Sequence, residues 1–212
     1  REILLRAKQI CESMGFRVLH MYVDALWIAK SGAHTVADFD SVLDEISRQT
    51  KLWISLDGIY RWIAFLPSRS NDNVPVPNRY FGCFQNGSLK IRGLELRRHD
   101  SPPWVTAIQS QILNILSRAW DTRQITELIP IAFRIFVDAL KRLNEGTVNR
   151  EDLLLTIRIS RELEAYKSPP AAVRAALQLM ERTGKRTSPG QKVRFLFVES
   201  ESGVYNWDQP IE

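Results

Sequence analysis

Apolar positions in the first hundred residues switch repeatedly between helical and strand spacing. Ile3, Leu4, Ala7, Ile10, Cys11 and Met14 fall on one helical stripe, which predicts a helix over residues 2–14 closed by Gly15. Residues 17–23 and 26–29 are β-rich. A two-residue turn at Asp24-Ala25 makes them a hairpin with Asp24 near its tip. Phe39, Val42, Leu43 and Ile46 give a second amphipathic helix over 38–48. Residues 52–66 read as two strands around Asp57-Gly58. A Pro/Asn-rich loop spans 67–77, and residues 79–84 and 88–92 form a further hairpin about Asn86-Gly87.

The pattern changes after Ser101-Pro102-Pro103. Two long helical stretches cover 105–119 and 125–143, and Gly146 ends the second. Residues 153–159 are β-like. A helix over 171–182 is opened by Pro169-Pro170, and a closing strand over 191–198 follows the turn Ser188-Pro189-Gly190. The expected fold class is α+β. Residues 1–100 form an antiparallel sheet with helices, and 101–212 a mostly helical domain. The apolar runs are far short of the roughly 18–20 residues that a membrane span needs. Cys11 and Cys83 are too isolated for a disulfide framework or a zinc knuckle. The chain opens on Arg1 without Met or a secretory pattern, which suggests a processed chain or a piece of a longer one.

Charge adds a direction to this division. Residues 1–66 hold 8 basic and 8 acidic side chains, whereas 67–194 hold 21 basic against 12 acidic, and the last 18 residues hold 4 acids and no Lys or Arg. A basic zone beside a neutral one is what a polyanion-binding surface needs, although a solvated surface of uneven composition has the same appearance.

Three constellations carry candidate chemistry. Asp24 at a hairpin tip is a candidate metal ligand. A two-metal phosphoryl-transfer site needs converging carboxylates, and the next residue on that face is Leu26; the alternative is that Asp24 serves the turn. Arg79 and Tyr80 lie on one strand of the Asn-Gly hairpin, and Lys90 and Arg92 share a face of its partner, with Arg97 and Arg98 beyond. The cations suit phosphates and Tyr80 a sugar or base edge; a charge-protected edge strand is the competing reading. Arg158, Ser160, Arg161, Tyr166, Lys167 and Arg174 surround the start of a helix that can face an anion, or else form an ordinary loop. His20, His34 and His99 match no metal-ligand spacing, and no Gly-rich phosphate loop is present. Trp53, Trp62, Trp104 and Trp120 stand in apolar contexts and are expected in the core.

In their order, these pieces resemble the C-terminal palm and thumb of family B DNA polymerases. Tyr22-Val23-Asp24-Ala25-Leu26-Trp27 stands where the family has Y-G-D-T-D-S, and Asn78-Arg79-Tyr80-Phe81-Gly82 where it has K-K-R-Y-x-G. Residues 90–101, with Lys90, Arg92, Gly93, Glu95, Arg97, Arg98, Asp100 and Ser101, are similar to its K-x-R-G-x-E-x-x-R-R-D-x-S run. Arg161, Tyr166, Lys167, Pro169-Pro170 and Pro189-Gly190-Gln191-Lys192-Val193 are similar to its thumb. The resemblance implies a palm portion over 1–100 and a thumb over 101–212. It implies DNA contacts from Arg79, Tyr80, Lys90, Arg92, Arg97, Arg98, Arg161, Tyr166, Lys167 and Arg174. It also implies Mg²⁺ in a complete active site, primer-template DNA and dNTP as partners, an upstream polymerase segment or separate large subunit, no membrane, and a cytoplasmic place at the nucleoid.

Departures from the pattern shape the expectation. The family's second motif C Asp, the stronger metal ligand, is Leu26, and both lysines of K-K-R-Y are replaced, by Pro77 and Asn78. These substitutions resemble the diverged archaeal second B-type group, whose motif C is disrupted. The first metal-binding motif, the nucleotide-binding helix and the proofreading domain would lie upstream of Arg1. The chain alone is therefore expected to be inactive, either as part of a polymerase or as an inactivated, polymerase-derived DNA-binding or structural subunit.

Overall fold

A computed structural model describes residues 1–208 and shows an α+β chain whose sheets are all antiparallel. It divides into two compact units, residues 1–94 with 117–128, and residues 95–116 with those from 129 onward.

The first unit opens with α1 (Glu2–Ser13), the hairpin β1 (Arg17–Tyr22) and β2 (Ala25–Ala29), and α2 (Ala37–Thr50). The apolar stripes of α1 and α2 meet, so Ala7, Ile10, Cys11, Phe16, Phe39, Val42 and Ile46 form one buried cluster. In the first turn of α2 the Asp38 carboxylate accepts from the backbone N–H groups of Thr35 and His34 and from the Thr35 hydroxyl. Those bonds, the Thr35 backbone first, hold its carboxyl below the usual range. The second sheet of the unit has the order β3 (Tyr60–Pro67), β4 (Pro75–Phe84), β5 (Leu89–Arg92).

Three local expectations are corrected here. Tyr22 pairs with Ala25, so the hairpin turn is Val23-Asp24 and not Asp24-Ala25. Asp57-Gly58 makes no hairpin, because β3 takes β4 as its partner and residues 51–59 belong to no strand. Gly58 serves a close approach instead, since a Cβ there would come within 2.7 Å of the Phe84 ring. The Asn86-Gly87 hairpin, by contrast, forms as expected. Gly87 N–H bonds the Phe84 carbonyl and Phe84 N–H the Ser88 carbonyl, with Gly87 at φ +87°. The tryptophans divide as well. Trp62 is buried and donates through Nε1 to the Ala119 carbonyl, while Trp53 is 89% exposed and Trp120 lies against the Arg61 guanidinium with its other face in solvent.

The second unit contains α3 (Pro103–Leu116), most of α4 (Thr122–Asn144), β6 (Leu155–Arg158), α5 (Ala171–Thr183), β7 (Lys192–Phe197) and β8 (Val204–Asn206). Helix α4 ends in a Schellman arrangement. Gly146 N–H bonds the Leu143 carbonyl and Thr147 N–H the Arg142 carbonyl, with Gly146 at φ +68°. The sheet order is β6-β7-β8, and α5 covers one face. Val173, Ala175, Ala176, Val193, Phe195 and Val204 form this unit's buried centre. Strand β8 is absent from the sequence expectation because only three residues pair. Its anchor is the fully buried Asn206, whose amide donates to the Ala175 carbonyl.

Candidate nucleic-acid interface

Glycine spacing shapes the β4–β5 hairpin. Gly82 has no room for a side chain, because a Cβ would stand 2.8 Å from the Trp62 carbonyl oxygen. Gly93, just past β5, sits at φ +66°, and a Cβ there would be 2.4 Å from the Asn78 carbonyl and 2.8 Å from the Arg79 side chain. The two backbones therefore touch beside half-buried Arg79 and exposed Arg92, and Tyr80 pairs with Arg92 across the ladder.

The predicted residues separate by environment. Arg92 is exposed, and Lys90 reaches the Asp57 carboxylate at 2.9 Å. Tyr80 is buried instead of lying on the sheet surface. Its ring meets Trp27 edge-on at 5.1 Å and tilts against Phe65 at 5.7 Å, because alternation along β4 turns residue 80 inward. His20 completes this aromatic group. It lies 4.4 Å from the Phe65 ring, and its Nε2 is 3.0 Å from the Pro77 carbonyl oxygen. Burial pushes the neighbouring Tyr60 phenol up to about 12.

Asp24 is exposed at the tip of the first hairpin, beside Val23 at φ +54°. That conformation is unusual for a β-branched residue, and Val23 occupies the glycine place of the Y-G-D-T-D-S pattern. Leu26 packs against the α1–α2 cluster as an apolar residue. The hairpin tip does not by itself fit a divalent cation: it offers one carboxylate, and no group of three or more potential ligands occurs among the described residues.

Asp24, Tyr80, Lys90 and Arg92 nevertheless line one cleft of about 870 Å³ within the first unit. Strand β2 and residues 52–59 also wall it. Among the described residues, the backbone groups of 53–58 find no partner, although Ile54 and Leu56 pack on the core beneath. Sequence reasoning read this segment as a strand but gave it the wrong partner, and it missed Asp57 as the partner of Lys90. The alternation of Ile54, Ser55, Leu56 and Asp57 was the available signal.

In the second unit, Arg97, Arg161 and Lys167 are exposed. Arg98 grips Asp100 through two nitrogens at 2.9 and 2.7 Å, which raises the guanidinium pKa and lowers that of the carboxyl. The Tyr166 hydroxyl lies 3.0 Å from the Ser160 hydroxyl, and this bond lowers the phenol pKa. Arg174 is committed to structure. Its Nε donates to the Ser202 carbonyl and another nitrogen to that of Pro169, tying the β7–β8 turn to the start of α5. Arg186 bridges Glu162 and Glu164, which leaves Arg161 and Lys167 as the cations flanking that acidic pair.

Known proteins resemble this chain in sequence and fold. A sequence model of DNA polymerase family B matches residues 78–210. A DNA polymerase of Archaeoglobus fulgidus is 25% identical over the whole of this chain, which spans 25% of that protein. DNA polymerase 1 of Sulfolobus acidocaldarius is 23% identical over 96% of the chain and 22% of its own length. The family B DNA polymerase structure from Pyrobaculum calidifontis superposes with a TM-score of 0.62 at 20% identity, covering 97% of this chain and 25% of that one. The chain thus spans about a quarter of the length of these relatives.

Proposed function

Because the chain belongs to DNA polymerase family B, we propose that it is the C-terminal palm and thumb portion of such an enzyme, with the palm over 1–100 and the thumb over 101–212. In this reading it holds primer-template duplex at the nucleoid through backbone phosphates while nucleotides are added. One observation carries the reading: separately predicted segments, the motif C-like hairpin and the K-x-R-G-like strand, line the same cleft. Exposed Arg92, Arg97, Arg161 and Lys167 supply cations for phosphates, and such contacts are independent of sequence and sensitive to salt. Tyr80 supports the cations from the core, and Arg174 supports the thumb by tying its turn.

The chemistry needs more than these residues. Asp24 is one carboxylate, so a further polymerase segment supplies the other ligands for Mg²⁺ and the dNTP site. The backbone of 53–58, which finds no partner among the described residues beside the cleft, supports such a segment, because an extended edge of this kind is completed by an added strand.

A second reading is favoured by Leu26. With an apolar side chain packed on the core where the family has its stronger ligand, the protein serves as an inactivated DNA-gripping subunit. Leu26→Asp in the reconstituted assembly separates the two readings. A large gain in primer extension means that the rest of the active site is intact, and no gain points to wider decay or to chemistry that never depended on that position.

Fluorescence anisotropy with recessed primer-template, blunt duplex and single strand, each at two salt concentrations, tests the grip itself. Duplex-containing DNA is expected to bind more tightly, with affinity falling steeply as salt rises. Absent or salt-insensitive binding would sink the reading.

A further inference from the structure

Helix α4 carries more apolar surface than one packed interface uses. Ala132 and Ala139 are buried and Ile135 half-buried, which defines an inward stripe. Ile129, Phe133, Phe136, Leu140 and Leu143 form a second stripe, and each is between 41 and 60% exposed. At 3.6 residues per turn the two stripes lie about 90° apart and together span roughly 160°, well beyond the roughly 100° arc that a surface helix needs for its own core. The spacing of the outer stripe runs four, three, four, three. This is the repeat of a knobs-into-holes helix seam, so its natural occupant is another helix.

We propose that this seam pairs with the same seam of a second copy of the chain, forming a two-fold dimer through α4. Two features select a copy of itself. The flanks of the seam are uncharged: Pro130, Val137 and Asn144 stand on one side, and Ala132 and Ala139 on the other. The charged residues Glu127, Arg134, Asp138, Lys141 and Glu145 sit toward the back of the helix, so self-pairing meets no like charges. The area also fits. Six large side chains, with Val137 the sixth, each expose roughly 100 Å². That is roughly 1,200 Å² over two copies, the lower end of a specific interface. Phe133 and Phe136, in mutual ring contact at 6.2 Å, are the central anchors. The pairing is independent of the DNA-binding reading, because none of its residues is among the proposed DNA contacts.

Sedimentation velocity of the purified chain, from low micromolar to submillimolar concentration, tests the proposal. The expected result is a reversible monomer–dimer equilibrium without larger species. Phe133→Glu with Phe136→Glu is expected to weaken it at least about thirtyfold, as for a central anchor. The circular dichroism spectrum should stay unchanged, because neither ring is part of the unit's buried centre. Phe197→Glu, an equally exposed apolar site on β7, should leave the equilibrium intact. A chain monomeric throughout, a dimer indifferent to the α4 substitutions, or open-ended growth would each overturn the pairing. So would monomer that co-sediments with anionic phospholipid vesicles through the same residues.

Discussion

Gly93→Ala is the perturbation that most directly tests how the basic hairpin is held. Two costs add at this position. The left-handed backbone, φ +66°, costs an alanine about 1–2 kcal/mol. The new methyl must also sit 2.4 Å from the Asn78 carbonyl oxygen, which is backbone and cannot swing aside. Overpacking of that kind costs about 1–3 kcal/mol. Alanine returns roughly half a kcal/mol by stiffening the unfolded chain, so the net loss is about 2–4 kcal/mol.

Gly32 supplies the control within the same unit. It has φ +82° but nothing within 4 Å of its virtual Cβ, so Gly32→Ala carries only the backbone cost, about 1 kcal/mol. Urea unfolding followed by tryptophan fluorescence reads this unit well, because Trp27, Trp53, Trp62 and Trp120 all belong to it. Moving the Asn78 carbonyl also moves Arg79, so Gly93→Ala should weaken duplex DNA binding while Gly32→Ala does not. Equal destabilisation by the two substitutions would refute the close-approach argument. A destabilised Gly93→Ala protein with unchanged DNA affinity would detach the hairpin from the grip.

Val23→Gly is expected to stabilise the chain by about 0.5–1 kcal/mol in thermal melts, since it relieves a positive φ at an exposed valine; a loss of stability would show that the valine side chain is needed. Arg48 first, then Gln49, hold the Glu45 carboxyl down to about 2, from 4.5 when unfolded. The stability this contributes is therefore present above pH 4.5 and lost as pH falls from there through about 2, and Glu45→Gln should flatten that part of an acid-unfolding curve. Arg174→Ala, losing its bonds to Ser202 and Pro169, should lower the stability of its unit by about 1–2 kcal/mol in urea and change DNA affinity little, whereas Arg161→Ala should do the reverse. Absorbance titration should find one tyrosine ionising near pH 12, and Tyr60→Phe should abolish that step.

What the sequence discloses here depends on how far apart the interacting residues lie. Helices α1, α2 and α5 and the β4–β5 hairpin were legible because their signals are local: stripes at helical spacing, a proline pair at a helix start, an Asn-Gly turn. Asp57-Gly58 carries an equally strong turn signal and misleads. Its glycine answers a tertiary demand, the approach of the Phe84 ring, and its aspartate answers Lys90. Tyr80 shows the same limit at the site. Strand alternation establishes which residues share a face, but only the packing of Trp27 and Phe65 decides which face is inside. Arg174 looks like a phosphate ligand by type and position, yet two backbone carbonyls from distant segments already claim it. On the proposed reading, the predicted cations left to meet DNA are those for which the fold shows no other use. Arg92, Arg97, Arg161 and Lys167 are exposed and take no part in any ion pair found among the described residues. The grip should therefore rest on them more than on the motif positions that the core has absorbed.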